Sequence, residues 1–368
     1  MKKILIVADH PYTNSGFGKV MRNVLKKADL SKFNVTYLAK NVRCEPKHNF
    51  RDKITNVRLI YNQNYDHMAL FTLRDHLLTN DYDLIFIYDD IDILFMHYFG
   101  SSLYNFEGNE KLHESRVVAY TPVDTIKISE KFSLLRNVIK LKFLAFCEFA
   151  SNVLESFGLT VVGTMGHAAD DMEYLKLDEK QYDLLYVGRL DPRKNAQLLL
   201  DVLNKVASTY EGIRIALKVS NDILTYRLLS NYKLRQNIHV ITDFMTEEDM
   251  KFLYNKSRFF VSLSHAEGWG LGFTEAQMCR VPVIATDFPV HKEVIGPDGI
   301  YVNSIGTKRY NFREWPIIHA NDAYDTILKA LQMNEKDYVD IAYKQYDYAK
   351  RYTWDNAAKV FEEILEEE

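Results

Sequence analysis

Short, almost wholly apolar runs recur along the chain, separated by segments whose apolar residues fall three and four apart, and this alternation predicts strands and helices in turn. Residues 3–8 (KILIVA), 34–39, 57–61, 83–88 (DLIFIY) and 116–121 (RVVAYT) read as buried strands, with helices over 19–28 and 68–78 between them. A second series has strands at 184–187, 213–219, 238–241, 259–263 and 281–286, and helices over 271–279 and over 246–254 with Thr246 as N-cap. The chain ends in a helical tail. Strands alternating with helices imply parallel sheets covered on both faces, the α/β class. Residues 126–144 differ: Lys127, Lys131, Arg136, Lys140 and Lys142 interleave with regular apolar positions and predict a basic amphipathic helix, a type that can lie on an anionic membrane or form a domain edge with snorkelling lysines.

The length of 368 residues allows two domains, each with its own core. No apolar run reaches the length of a membrane span, and the apolar part of MKKILIVADH is too short for a signal peptide. Cys44, Cys147 and Cys279 are widely spaced and odd in number, so they form neither a disulfide framework nor a zinc set, and the expected location is cytoplasmic. The net charge of −4 argues against general nucleic-acid binding. Residues 1–60 nevertheless hold thirteen Lys or Arg against four Asp or Glu, while the chain ends in Glu366, Glu367 and Glu368. That basic start leaves room for peripheral contact with an anionic membrane or nucleic acid; a solvated lysine-rich surface accounts for it equally well.

The densest chemistry lies over 259–296, where an apolar strand passes through Gly268, Trp269, Gly270, Leu271 and Gly272 into a helix, with Glu267 in the turn and Glu275 in the helix. Glycines let a backbone approach a ligand, and a carboxylate can accept bonds from two neighbouring hydroxyls, as sugars and riboses present them. Upstream, the strand at 184–187 leads into Gly188, Arg189, Leu190, Asp191, Pro192, Arg193, Lys194 and Asn195, with cations ahead of a helix start. Such a loop suits a diphosphate. Gly16, Phe17 and Gly18 follow the first strand, but Met21 stands where a dinucleotide fingerprint needs its third glycine and Lys40 where it needs an acid, so NAD is not expected.

Ser264, Glu267, Gly268, Gly270, Leu271, Glu275, Ala276 and the run Pro282, Val283, Ile284, Ala285, Thr286 resemble the glutamate-x7-glutamate motif of retaining family 4 glycosyltransferases, also called glycosyl transferases group 1. Arg280 departs from that pattern, which has glycine before the second strand. The resemblance implies the GT-B fold, two Rossmann-like doubly wound domains facing across a cleft. It places an acceptor-side domain at 1–163, a donor-binding domain at 164–345 with His167 and Asp170 in a linker-like segment, and a C-terminal helix at 346–368 crossing back. It further implies a nucleotide-diphosphate sugar as donor. Arg189 and Lys194 would hold the diphosphate, Glu275 the ribose, and Glu267 with the amides of 268–272 the sugar hydroxyls; Gly188, Trp269 and Leu271 complete the donor set, and Gly16, Phe17 and Gly18 line the cleft.

Asp124, after the strand at 116–121, is the candidate for contacting the acceptor or the transferred sugar, with helix capping as the alternative. The implied chemistry is hexosyl transfer with retention by front-face substitution to a carbohydrate, lipid-linked or macromolecular hydroxyl, with no metal or cofactor. Asp90 and Asp92 have the spacing of a metal-binding Asp-x-Asp and are the one counter-indication. Two neighbouring functions share these features: transfer to a viral or phage macromolecule, DNA or coat protein, and nucleotide-sugar epimerisation.

Overall fold

The computed structural model describes residues 1–13, 15–41, 57–61, 66–177 and 179–367. Cys44, Glu368 and the basic residues Arg43, Lys47, Arg51 and Lys53 lie outside the described residues. Its contacts divide the chain into two units, one of Met1–Val123, Lys127–His167 and Thr353–Glu368, the other of Asp124–Ile126 and Ala168–Tyr352.

The first unit runs β1 (Lys2–Asp9), α1 (Gly16–Lys27), β2 (Phe33–Lys40), β3 (Val57–Tyr61), α2 (Leu70–Leu77), β4 (Leu84–Tyr88), α3 (Ile91–Phe99), α4 (Glu110–Glu114), β5 (Val117–Thr121), β6 (Leu141–Ala145), α5 (Glu148–Ser156) and β7 (Val161–Thr164). Its seven strands are parallel in the order β3-β2-β1-β4-β5-β6-β7. β4 and β5 are buried at every position, because helices cover both faces of a parallel sheet.

The basic helix expected over 126–144 does not form. Residues Glu130–Asn137 make a 3-10 helix that buries Phe132 and Leu135, three apart and therefore on one side of a three-residue turn. Leu141–Ala145 then becomes β6, paired to β5, with Leu141, Phe143, Leu144 and Ala145 buried. Of the described residues, no helix is long and apolar enough to cross a membrane.

The second unit continues with β8 (Tyr182–Val187), α6 (Ala196–Thr209), β9 (Ile215–Lys218), α7 (Ile223–Ser230), β10 (Ile238–Ile241), α8 (Glu247–Asn255), β11 (Ser257–Ser262), α9 (Leu271–Met278), β12 (Val283–Thr286), α10 (Pro289–Ile295), β13 (Ile300–Val302), the antiparallel pair β14 (Gly306–Tyr310) and β15 (Arg313–Ile317), α11 (Ala320–Leu331) and α12 (Glu335–Ala349). Its parallel sheet has the order β10-β9-β8-β11-β12-β13. Thr246 caps α8 in a reciprocal capping box with Asp249. The 346–368 tail divides, for α12 belongs to the second unit whereas the last helix, α13 (Trp354–Glu366), belongs to the first. There α13 buries Trp354, Phe361 and Leu365, and Phe361 meets Phe86 of β4 edge-on at 5.0 Å.

Candidate functional site

In the second sheet the strand order reverses between β8 and β11, which are direct neighbours, so the loops leaving their C-terminal ends diverge and open a crevice. The two densest motifs of the sequence are these two loops. His265 N donates to the Arg193 carbonyl at 2.9 Å and ties them together. Lys194 Nζ donates to Glu267 Oε1 and Arg193 Nη1 to Glu267 Oε2, each at 2.6 Å; Arg193 Nη1 also reaches the Ala266 carbonyl at 2.8 Å. Glu267 is 5% exposed. Burial alone would raise its pKa, but the charges of Arg193 and Lys194 and their hydrogen bonds hold the carboxyl well below the ordinary range. Asp191 Oδ1 accepts from Lys194 N at 3.0 Å and shapes the turn into α6, whose first amides follow Asn195.

On the far side of the β11 loop, Gly270 precedes α9 in a left-handed conformation, φ 88°. Gly272 crosses so close to β11 that a Cβ would lie 2.8 Å from the Phe260 ring, so only glycine seats the helix there. Glu275 Oε2 accepts from the Tyr254 hydroxyl at 2.7 Å, and that buried phenol is pushed up by desolvation and by the neighbouring carboxylate. Trp269 is buried and meets the Tyr352 ring edge-on at 4.7 Å. Arg280, the departure from the motif, takes the left-handed φ of 55° that glycine would favour. Its guanidinium lies over Tyr174, Tyr343 and Tyr346 at 4.4, 4.4 and 4.9 Å, contacts that offset the backbone cost.

Of the expected donor set, Lys194 and Glu267 therefore meet directly. Arg189 does not join them; its side chain is 69% exposed and reaches Asp191 at 3.4 Å. Glu275 sits one helical turn into α9, on Tyr254. Gly188 ends β8 with its N–H bonded to the Lys218 carbonyl at 3.0 Å, while Gly268 and Leu271 flank the entry to α9.

Arg193 was not singled out in the sequence, although it is the more deeply engaged of the two adjacent cations. Arg313 and Trp315, both in β15, were missed as well, since β14, the strand they pair with, is exposed throughout and gives the hairpin no alternation to mark it. The usable signal was Asn311 between two aromatic residues, with φ 52° at the hairpin turn.

Asp124 belongs to the second unit. Its Oδ1 accepts from Arg313 Nε at 2.8 Å, its Oδ2 lies 3.6 Å from Arg193 Nε, and its carbonyl accepts from Trp315 Nε1 at 2.9 Å. Trp315 is stacked between His265, at 5.4 Å and 13°, and Tyr310, at 4.9 Å and 12°. His265 Nδ1 donates to the Pro316 carbonyl at 2.8 Å, and burial lowers its pKa to about 4. Three cations, Arg193, Lys194 and Arg313, thus surround the carboxylates of Glu267 and Asp124, with Asp191 beside Lys194.

In the first unit the reversal falls between β1 and β4. Gly16, Phe17 and Gly18 open α1 there, capped by Ser15, whose hydroxyl also donates to Asp9 Oδ2 at 2.7 Å. Phe17 stacks on Tyr88 at 4.2 Å, and a Cβ on Gly18 would lie 2.6 Å from Thr13 Oγ1. Lys40, in the acid's place of a dinucleotide fold, forms a buried ion pair with Asp89, yet burial still raises the Asp89 pKa to about 6. Asp90 is the N-cap residue of α3 and Asp92 lies in its first turn. His167 is buried beside Phe146, 4.5 Å away, and desolvation drops its pKa to about 3, which is a structural environment and not that of a base at neutral pH.

Residues 168–305 match the family model described as glycosyl transferases group 1. The O-antigen chain mannosyltransferase B of Escherichia coli is 30% identical over 120 residues, 32% of this chain and 31% of that protein. The sucrose-phosphate synthase of Thermosynechococcus elongatus superposes with a TM-score of 0.71 at 14% identity, covering 99% of this chain and 98% of that one. Anabaena HepE, solved with UDP and glucose, gives 0.70 at 13% over 99% of each chain. The two structures are alike in fold, the two-Rossmann GT-B arrangement; the sequence match spans about a third of the mannosyltransferase.

Proposed function

We propose that the chain, whose residues 168–305 match the glycosyl transferases group 1 family, is a hexosyltransferase that moves a sugar from a UDP- or GDP-linked donor to a hydroxyl acceptor. The observation that carries this reading is the buried Glu267 held by Lys194 and Arg193 beside the start of α6, at the strand reversal of the sheet. Breaking the glycosidic bond places growing negative charge on the leaving diphosphate. A fixed lysine, the arginine beside it and the amides at a helix N-terminus stabilise that charge without reorganising. Arg189, 69% exposed and paired with Asp191 at 3.4 Å, has room to turn onto the phosphates.

Glu267 uses one lone pair of each oxygen on its cations and keeps the others for sugar hydroxyls, while Glu275 takes the ribose. The UDP and glucose of the HepE structure support UDP-glucose as the first donor to try, and the mannosyltransferase relative supports a mannose donor beside it. Transfer proceeds with retention by front-face substitution, the departing phosphate taking the acceptor proton, and needs no metal. Proton NMR of each donor with the protein in EDTA, water serving as the acceptor hydroxyl, tests this: one donor is consumed, the released sugar is first seen with its anomeric configuration kept, and Glu267→Gln slows consumption roughly a hundredfold or more. Inversion, or consumption only after Mn²⁺ is added, refutes the mechanism; no consumption of any donor refutes the activity.

A further inference from the structure

We infer that Asp124 is a positioning residue that acts through Arg193 on Glu267, and that the β14–β15 hairpin is the strap that holds it; the inference rests on the donor-site reading above. Both Asp124 oxygens face arginines, Oδ1 on Arg313 at 2.8 Å and Oδ2 toward Arg193 at 3.6 Å, and its side chain is only 15% exposed. Its Oδ2, beyond hydrogen-bond reach of Arg193 Nε, draws that edge of the guanidinium toward itself by charge. The other edge then meets Glu267 Oε2 at 2.6 Å and the Ala266 carbonyl at 2.8 Å. A planar guanidinium transmits orientation between two carboxylates as an ammonium cannot. Lys194, on the opposite oxygen, completes a two-point grip on Glu267.

Asp124 is in turn held by more than Arg313. Glu314 N donates to Thr125 Oγ1 at 2.9 Å, Ile126 N donates to the Glu314 carbonyl at 3.0 Å, and Trp315 Nε1 donates to the Asp124 carbonyl. The indole is immobilised by its stack between Tyr310 and His265, and His265 is two residues from Glu267. The hairpin therefore reaches the sugar-facing carboxylate along two routes, ion pair and ring stack. A buried chain of this kind sets the angle of Glu267, and a misplacement of about 1 Å at such a group costs roughly a hundredfold in rate.

The test is a double-mutant cycle of Asp124→Asn and Glu267→Gln, read by donor consumption and by urea unfolding. If Asp124 acts through Arg193, Asp124→Asn lowers kcat by about ten- to a hundredfold with little change in KM for the donor, and adds nothing further in the Glu267→Gln background. The same factor in both backgrounds overturns the inference, because Asp124 would then act on substrate itself. Arg193→Lys, which keeps the charge but loses the fork, reproduces the Asp124→Asn loss; full activity in Arg193→Lys overturns the relay. Should Asp124→Asn fail to fold, Arg313→Gln releases the same carboxylate from its outer side and is read in the same cycle. Failure of the donor-site reading is separable, since wild type would then consume no donor while the unfolding cycle still decides the relay: non-additive free energies sustain it and additive ones overturn it.

Discussion

Glu267→Gln keeps the shape of the side chain and removes its charge, so Lys194 and Arg193 lose their directly bonded counter-ion while Asp124 and Asp191 remain near. Removing one partner of a buried pair typically costs about 3–5 kcal/mol. The lower end applies here, since Arg193 keeps an acidic neighbour and Lys194 retains 17% side-chain exposure, so we expect a loss of about 3 kcal/mol at pH 7. The sign with pH follows from the depressed carboxyl of the folded state. Its contribution is complete above the unfolded glutamate value of about 4.3 and fades as pH falls through the lower folded value.

Urea unfolding followed by tryptophan fluorescence reads this locally, because Trp269 and Trp315 lie in the second unit and Trp354 in the first. In a Trp354→Phe background the signal comes from the second unit alone. The wild-type advantage over Glu267→Gln is then constant between pH 7 and 5.5 and shrinks below about pH 4. A difference under about 1 kcal/mol at pH 7, or one that already shrinks between pH 7 and 5.5, would refute the buried-pair account.

Three further outcomes are expected. Arg280→Ala keeps the left-handed backbone and loses the three tyrosine contacts, so it unfolds about 1–2 kcal/mol more easily; Arg280→Gly relieves the φ and recovers about 1 kcal/mol of that in urea titrations. Gly272→Ala forces a Cβ against Phe260 and toward the Tyr254 hydroxyl that holds Glu275, at a cost of about 1–3 kcal/mol, together with weaker nucleotide binding by calorimetry. Asp89, raised to about 6 by burial, holds a proton in the folded state between its unfolded value of about 3.9 and 6. Its contribution to stability therefore falls as pH rises through that window, and carboxyl carbon NMR finds its titration midpoint near 6 in place of 4.

The alternation of buried strands and amphipathic helices was legible because parallel strands are apolar on both faces and leave no ambiguity of period. The two site loops were legible as motifs, but their meeting was not: it depends on β8 and β11 being neighbours, a tertiary pairing that spacing does not encode. The same gap hid Arg193, which differs from Arg189 only in where its guanidinium ends up. Residues 126–144 misled because their apolar positions fit a helix locally, whereas pairing with β5 takes 141–145 into the sheet and leaves Lys142 on its less buried side. Asp124 was legible as a carboxylate after a strand; its partners come from a hairpin nearly 190 residues later, whose exposed first strand carries no core pattern.

The central claim is that the second unit binds a nucleoside diphosphate through the β8 loop and the start of α6. Isothermal titration of UDP, GDP and ADP in EDTA tests it most directly, on wild type and on Lys194→Ala. The account predicts saturable binding of one nucleotide, weakened by tenfold or more when Lys194 is removed, the effect of about 1.4 kcal/mol or more from one charge-assisted contact. Binding of none of the three, or binding that Lys194→Ala leaves unchanged, would contradict it.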